Sequence, residues 1–204
     1  KPTINNSKFI VECLSTAANL AFTNSSCLVT GPLNKSIIQK HLRNFTGHTE
    51  FLKERFKASE VLMYMTNGDL HLGIATTHIP LKDVSKSISK DLIKNKYKLL
   101  HNGLIDIFKL VSPKIAVLGI NPHAGESGTI GDEEQNIIVP AIDELRHEGY
   151  DANGPISADT VFTSTKYDAV LSMYHDQVLP VLKTIDFYKT VNITLGLPFL
   201  RISV

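Results

Sequence analysis

Apolar residues recur at i, i+3 and i+4 spacing from Ser7 to Phe22, through Phe9, Ile10, Cys13, Leu14, Ala17, Ala18, Ala21 and Phe22. That period predicts an amphipathic helix. The short apolar run Cys27-Leu28-Val29-Thr30 predicts a buried strand that ends at Gly31-Pro32. Asn34 is placed to cap a helix reaching His41, and a second helix is expected over His48–Lys57. Val61–Met65 and Leu70–Thr77 flank Asn67-Gly68-Asp69, a hairpin signal. Helical patterns follow over Lys90–Phe108 and Glu133–Glu148, the latter bent or begun by Pro140. A last helix is expected over His175–Thr184, and strands over Lys114–Ile120, Tyr167–Met173 and Val191–Leu195.

This alternation predicts an α/β fold with a parallel or mixed sheet. In such sheets ligands gather at the carboxyl ends of strands, so the loops there are the places to look for chemistry. At 43% hydrophobic the chain has the material for a core, which excludes disorder as its main state. A formal net charge of +1 argues against a nucleic-acid or membrane-surface footprint. Cys13 and Cys27 are too few for a disulfide scaffold or a four-Cys zinc site, so a reducing, cytoplasmic setting is expected. No apolar run approaches the roughly 20 residues needed to span a bilayer. Lys1-Pro2-Thr3 is neither a leader nor an initiator methionine, and Arg201-Ile202-Ser203-Val204 stops without a turn, so both ends are expected to be cuts in a longer chain.

Three histidines fall at strand ends: His78 in Thr77-His78-Ile79-Pro80, His123 in Asn121-Pro122-His123-Ala124-Gly125-Glu126, and His175 in Tyr174-His175-Asp176-Gln177. Three neutral imidazoles can hold a divalent ion and leave positions open. Spacing cannot join them, and three unrelated loop residues are the plainer alternative. Asp176 and Asp159 could each orient an imidazole or carry a proton, and Asp159 could equally cap a helix. His41, His71, His101 and His147 sit in amphipathic or charged contexts and read as surface groups. His48 opens a helix, where an anion is favoured, although Thr49 and Glu50 are also ordinary capping residues. Gly31-Pro32-Leu33-Asn34-Lys35 is not a Walker loop, and the glycines from Gly119 to Gly131 lack the dinucleotide fingerprint. Lys183 and Arg201 could neutralise a phosphate or carboxylate. Asn192 interrupts an apolar strand and must either face solvent or find a partner.

These segments occur in one order with Thr30-Gly31-Pro32-Leu33-Asn34-Lys35, Gly47-His48-Thr49-Glu50-Phe51-Leu52, Gly154-Pro155-Ile156-Ser157-Ala158-Asp159-Thr160 and Val191-Asn192-Ile193-Thr194-Leu195-Gly196-Leu197-Pro198-Phe199. Together they resemble the 4-hydroxythreonine-4-phosphate dehydrogenases of pyridoxal phosphate biosynthesis over nearly the whole chain. The resemblance implies a two-lobed fold like isocitrate and isopropylmalate dehydrogenases, incomplete here, with residues 1–204 as its central part. It implies a homodimer whose divalent metal (zinc, magnesium or cobalt) is held by His78, His123 and His175 across the interface. It implies substrate contacts from His48, Thr49, Lys183, Asn192 and Arg201. The implied reaction is NAD(P)-dependent oxidation of 4-phosphooxy-L-threonine to a β-keto acid that decarboxylates to 3-amino-2-oxopropyl phosphate.

Two positions depart from the family pattern: Val178 where it has Gly, and Ile202 where it has Thr. The family's N-terminal opening and its Asp-His-Gly-Thr segment are missing, so part of the cofactor side is expected to be absent. Two rival readings remain. One is a sibling dehydrogenase of erythronate or threonate 4-phosphate; the other is an inactive truncated homologue.

Overall fold

The structure, a computed structural model, describes residues 5–163 and 166–203. In chain order the elements are α1 (Asn5–Thr23), β1 (Leu28–Thr30), α2 (Lys35–Gln39), α3 (His48–Arg55), β2 (Leu62–Thr66), β3 (His71–Thr76), α4 (Leu81–Ser87), α5 (Lys90–Phe108), β4 (Ile115–Leu118), α6 (Val139–His147), β5 (Ala152–Ile156), β6 (Ala169–Tyr174), α7 (Leu179–Ile185), β7 (Val191–Leu195) and β8 (Arg201–Ser203). The expected α/β class holds. The chain divides into two compact units, Lys1–Val61 with Val191–Val204, and Leu62–Thr190.

In the first unit β1 runs parallel to β8 and β8 antiparallel to β7. The register places Arg201 opposite Leu28 on one side and Thr194 on the other. Leu14, Ala18 and Ala21 bury one stripe of α1 against Leu28, Ile38, Phe45, Leu52 and Phe199. The stripe is narrower than the sequence pattern: Phe9, Ile10 and Phe22, counted in the apolar face, are exposed. Asn34 caps α2 as expected, its side chain accepting from the Ile37 amide at 3.3 Å, but the helix ends at Gln39.

In the second unit β2 and β3 form the expected hairpin, and β3, β6, β4 and β5 run parallel in that order. The Asn67 side chain fixes the hairpin turn by accepting from the Asp69 and Leu70 amides at 3.1 and 2.9 Å. Ser89 caps α5, accepting from the Leu92 amide at 3.2 Å, and Ile93, Tyr97, Leu100 and Leu104 give that helix its buried face. The expected helix over Glu133–Glu148 is instead a π-turn, Glu134–Ile138, followed by α6 with Pro140 in its first turn. There the missing Pro amide costs nothing. Likewise His175–Gln177 is a separate 3-10 turn ahead of α7. Three elements were not expected: α4, β5 with its internal Gly154-Pro155, and β8. Among the described residues no helix is long and apolar enough to cross a membrane.

Candidate functional site

The carboxyl ends of β3, β4 and β6 lead to His78, His123 and His175 respectively. The His78 and His175 rings lie 5.9 Å apart. Asp176 Oδ1 is 2.6 Å from His175 Nδ1, which engages one of the two ring nitrogens. Such a carboxylate fixes an imidazole's tautomer and orientation. Gln177 ties two strand ends together, its amide donating to Gly119 O at 2.6 Å and its carbonyl accepting from Met173 N at 2.8 Å. His123 lines a cavity of about 260 Å³ with Asn121, Asp159, Tyr174 and Gln177. Asp159 accepts from Ser157 Oγ at 2.5 Å.

His123 stands on an unusual backbone. Five successive residues, His123 to Ser127, have positive φ between 42° and 77°. Only Gly125 among them lacks a Cβ, and for the others the left-handed form costs roughly 1–2 kcal/mol per residue. Tertiary contacts must therefore hold the turn. Glu134, only 3% exposed, accepts from the Ile120 and Asn121 amides at 2.7 and 2.8 Å and from Asn121 Nδ2 at 2.9 Å. Asn121 Nδ2 also donates to Glu133 at 2.8 Å, and Glu133 accepts from Ser85 Oγ at 2.6 Å. These hydrogen bonds hold the Glu133 carboxyl below its ordinary range.

The donor set fits a divalent ion in part. Two imidazoles at Zn–N of about 2.0–2.1 Å on one tetrahedral ion place their ring centroids roughly 5 Å apart, close to the His78–His175 spacing. Among the described residues of one chain, no three His, Cys, Asp or Glu side chains converge as a ligand set. His123 is thus not joined to the other two within the single chain.

In the first unit a different chemistry collects. Arg201 is 5% exposed, donating from Nε and Nη2 to Thr30 Oγ1 at 3.1 and 2.7 Å and from Nη1 to Thr194 Oγ1 at 3.2 Å. Its hydrogen-bond partners among the described residues are hydroxyls, not carboxylates. Burial pushes its pKa down, with Glu50 opposing. A buried cation without an anion is costly, and an anionic ligand would relieve that cost. His48 is half-buried in the same unit. Burial, with Arg201 and Lys35 adding to it and Glu50 opposing, lowers its pKa to about 4. The ring is therefore neutral at pH 7 and can both donate and accept. Thr49 is half-buried beside it.

The His48 shift sets a pH dependence. Its folded pKa lies below the unfolded value of about 6.5, so between these values the unfolded chain binds the proton more tightly. Stability is full above pH 6.5 and falls as pH drops toward 4. The loss is on the order of 1–2 kcal/mol after allowance for the ring's partial exposure. Urea midpoints measured from pH 7.5 to 4 should fall less steeply for His48→Gln than for the parent protein. Parallel curves would contradict this.

Asn192 is half-buried, and its Oδ1 is buried with no hydrogen-bond partner among the described residues. An orphaned acceptor of this kind requires an explanation, and a ligand donor supplies one. Lys183 lies in the last turn of α7, exposed, with Nζ 5.9 Å from the Phe187 ring centroid. Val178 has φ of −130° and is fully buried, so the Gly that the resemblance leads one to expect is not needed for left-handed backbone here. His71, read as a surface group, is instead half-buried, hydrogen-bonded to Tyr64 and packed on Phe108. Sequence reasoning missed Thr30, Thr194, Glu134 and Gln177 as supporting residues. Thr30 and Gln177 act on partners far along the chain, and Glu134 and Thr194 on residues that a turn brings back to them, so no local pattern marks them.

The family described as pyridoxal phosphate biosynthetic protein PdxA matches residues 1–204. The chain is similar to a 4-hydroxythreonine-4-phosphate dehydrogenase from Klebsiella pneumoniae, with 35% identity and a TM-score of 0.92, covering 100% of this chain and 62% of that one. It is similar to another from Burkholderia phymatum, with 32% identity and a TM-score of 0.87, covering 100% of this chain and 63% of that one. A terephthalate 1,2-cis-dihydrodioldehydrogenase from Burkholderia xenovorans LB400, at 23% identity and a TM-score of 0.80, shares the fold, over 100% of this chain and 66% of its own. The chain thus spans less than two thirds of the length of the structures it matches.

Proposed function

We propose, from the premise that this chain belongs to the PdxA family of pyridoxal phosphate biosynthetic proteins, that the whole protein oxidises 4-phosphooxy-L-threonine with NAD(P). The observation that carries this reading is Arg201, a buried guanidinium held by two threonine hydroxyls, with no carboxylate among its hydrogen-bond partners in the described residues and Glu50 acting on it only through its charge. A phosphorylated substrate supplies an anion. Neutral His48 and Thr49 offer hydrogen bonds to the same molecule, and Lys183 adds a second cation. Asn192 Oδ1 accepts from a substrate N–H or O–H.

When bound, NAD(P) would accept hydride from the carbon bearing the secondary hydroxyl, and the hydroxyl proton would pass to a base. The β-keto acid then breaks its bond to the carboxylate. Carbon dioxide departs, the electron pair passes into the enolate, and protonation gives 3-amino-2-oxopropyl phosphate. Asp159, on the cavity that His123 lines, serves as proton carrier, and Asp176 orients His175. His78, His123 and His175 would hold a divalent zinc, magnesium or cobalt ion, the set being completed across a homodimer. When bound, that ion supplies positive charge at the reacting oxygens. A cytoplasmic setting belongs to the same proposal.

The test is NAD(P)H formation by the full-length protein with divalent metal, offering 4-phosphooxy-L-threonine beside erythronate 4-phosphate. Preference for the amino acid is expected. Turnover of the sugar acid alone would keep the chemistry and overturn the substrate assignment.

A further inference from the structure

The left-handed turn that carries His123 is closed by Ala124 N to Asn121 O, Ile130 N to Gly125 O and Gln135 Nε2 to Ser127 O, and one buried carboxylate reaches its N-terminal flank and its central glycine. Glu134 Oε1 accepts from the Ile120 and Asn121 amides, two and three residues ahead of His123. Oε2 accepts from the Asn121 side chain, whose amide nitrogen also donates to Glu133. The same carboxylate fills the space beside two glycines. A Cβ on Gly119 would meet Oε1 at 2.9 Å, and one on Gly125 would meet Oε2 at 2.6 Å. Gly119 also packs against Ala124, where a Cβ would stand 2.7 Å from the Ala124 Cα. The carboxylate is therefore wedged inside the turn. It lies too deep to touch a reactant, since both oxygens are spent on residues 120 and 121 and the residue is 3% exposed.

We propose that Glu134 is a positioning residue for His123, fixing the left-handed turn so that the imidazole is presented in one orientation before any ligand arrives. This rests on the reading of His123 as a metal ligand. The physical ground is preorganisation: a ligand on an unsupported loop must be ordered at the moment of binding, and that ordering weakens affinity. Groups that orient metal ligands from behind typically affect metal affinity by about 10- to 100-fold.

The experiment uses the full-length protein and cobalt(II) as probe. Affinity is measured by chelator competition, and the ligand-field absorption of the bound ion reports its geometry. Glu134→Ala is expected to weaken cobalt binding by about 10- to 100-fold. Glu134→Gln keeps one acceptor oxygen but sets its amide against the Asn121 amide, so its loss should be intermediate. Both should alter the cobalt absorption. Leu100→Ala, a core truncation in α5, serves as a control for general destabilisation and should leave affinity and absorption unchanged. His123→Ala should lose more affinity than either Glu134 variant. Parent-like binding in both Glu134 variants, with loss in His123→Ala, would overturn the positioning role and leave the ligand assignment standing. Equal weakening in Leu100→Ala would also overturn it. Parent-like binding in His123→Ala would overturn both.

Discussion

Replacing His123 by Ala in the full-length protein is expected, on the proposed function, to lower turnover by at least about 10³-fold, because one of the three imidazoles that would hold a divalent ion is gone. The fold should survive. His123 is exposed, and its neighbour Ala124 already adopts the same left-handed backbone, so an alanine there meets no new obstacle. His123→Asn is the conformational control, since Asn tolerates that backbone well and is a poor substitute for imidazole. Both variants should keep the parent melting temperature within a few degrees and lose bound metal. Normal metal content with normal rate in either would refute the assignment.

Arg201→Met should have the second large effect, and its signature separates ligand binding from stability. On the proposed function, removing the guanidinium would take away charge-assisted hydrogen bonds to the substrate anion, a loss of about 2–4 kcal/mol or on the order of 10²-fold in kcat/KM. A purely structural arginine would cost stability when removed. Here the side chain is a buried cation partnered by Thr30 and Thr194 rather than by a carboxylate. Its replacement by an apolar chain of similar length relieves a desolvation cost, so stability should change by only about 1 kcal/mol. Full-length protein carrying Arg201→Met should therefore melt near the parent temperature while its KM for the phosphorylated substrate rises steeply. A large drop in melting temperature with unchanged KM would show that Arg201 is there for the fold.

Where the chain's local physics is strong, the sequence was legible. Asn67-Gly68-Asp69 announced the hairpin turn, Asn34 its helix, and the apolar stripe of Lys90–Phe108 the longest helix of the second unit. The strand-end positions of His78, His123 and His175 were also readable, because the β to loop transitions were. What joins distant segments was not. The partner of Arg201 is Thr30, 171 positions away, and only the register of β1 and β8 brings them together. Four residues with a Cβ lie in the left-handed region from His123 to Ser127, against every local preference, flanked by the bonds of Glu134 to Ile120 and Asn121 and of Gln135 to Ser127 O. Propensity cannot foresee a conformation that tertiary hydrogen bonds impose. The same is true of His71, which reads as polar in sequence yet packs on Tyr64 and Phe108 across the hairpin and α5. Conversely, Phe9, Ile10 and Phe22 fit the helical period but are exposed, since Leu14, Ala18 and Ala21, with Val11 and Ala17 packed beside them, complete the inner face of α1.

On the proposed function these residues carry a metal-assisted oxidation of a phosphorylated hydroxy acid. The most direct test is NAD(P)H formation by the full-length protein on 4-phosphooxy-L-threonine before chelation, after chelation, and after return of a divalent ion. Turnover that stops with chelation and returns with zinc, magnesium or cobalt is the predicted result. Turnover indifferent to chelation, or none in the metal-loaded protein, would contradict it.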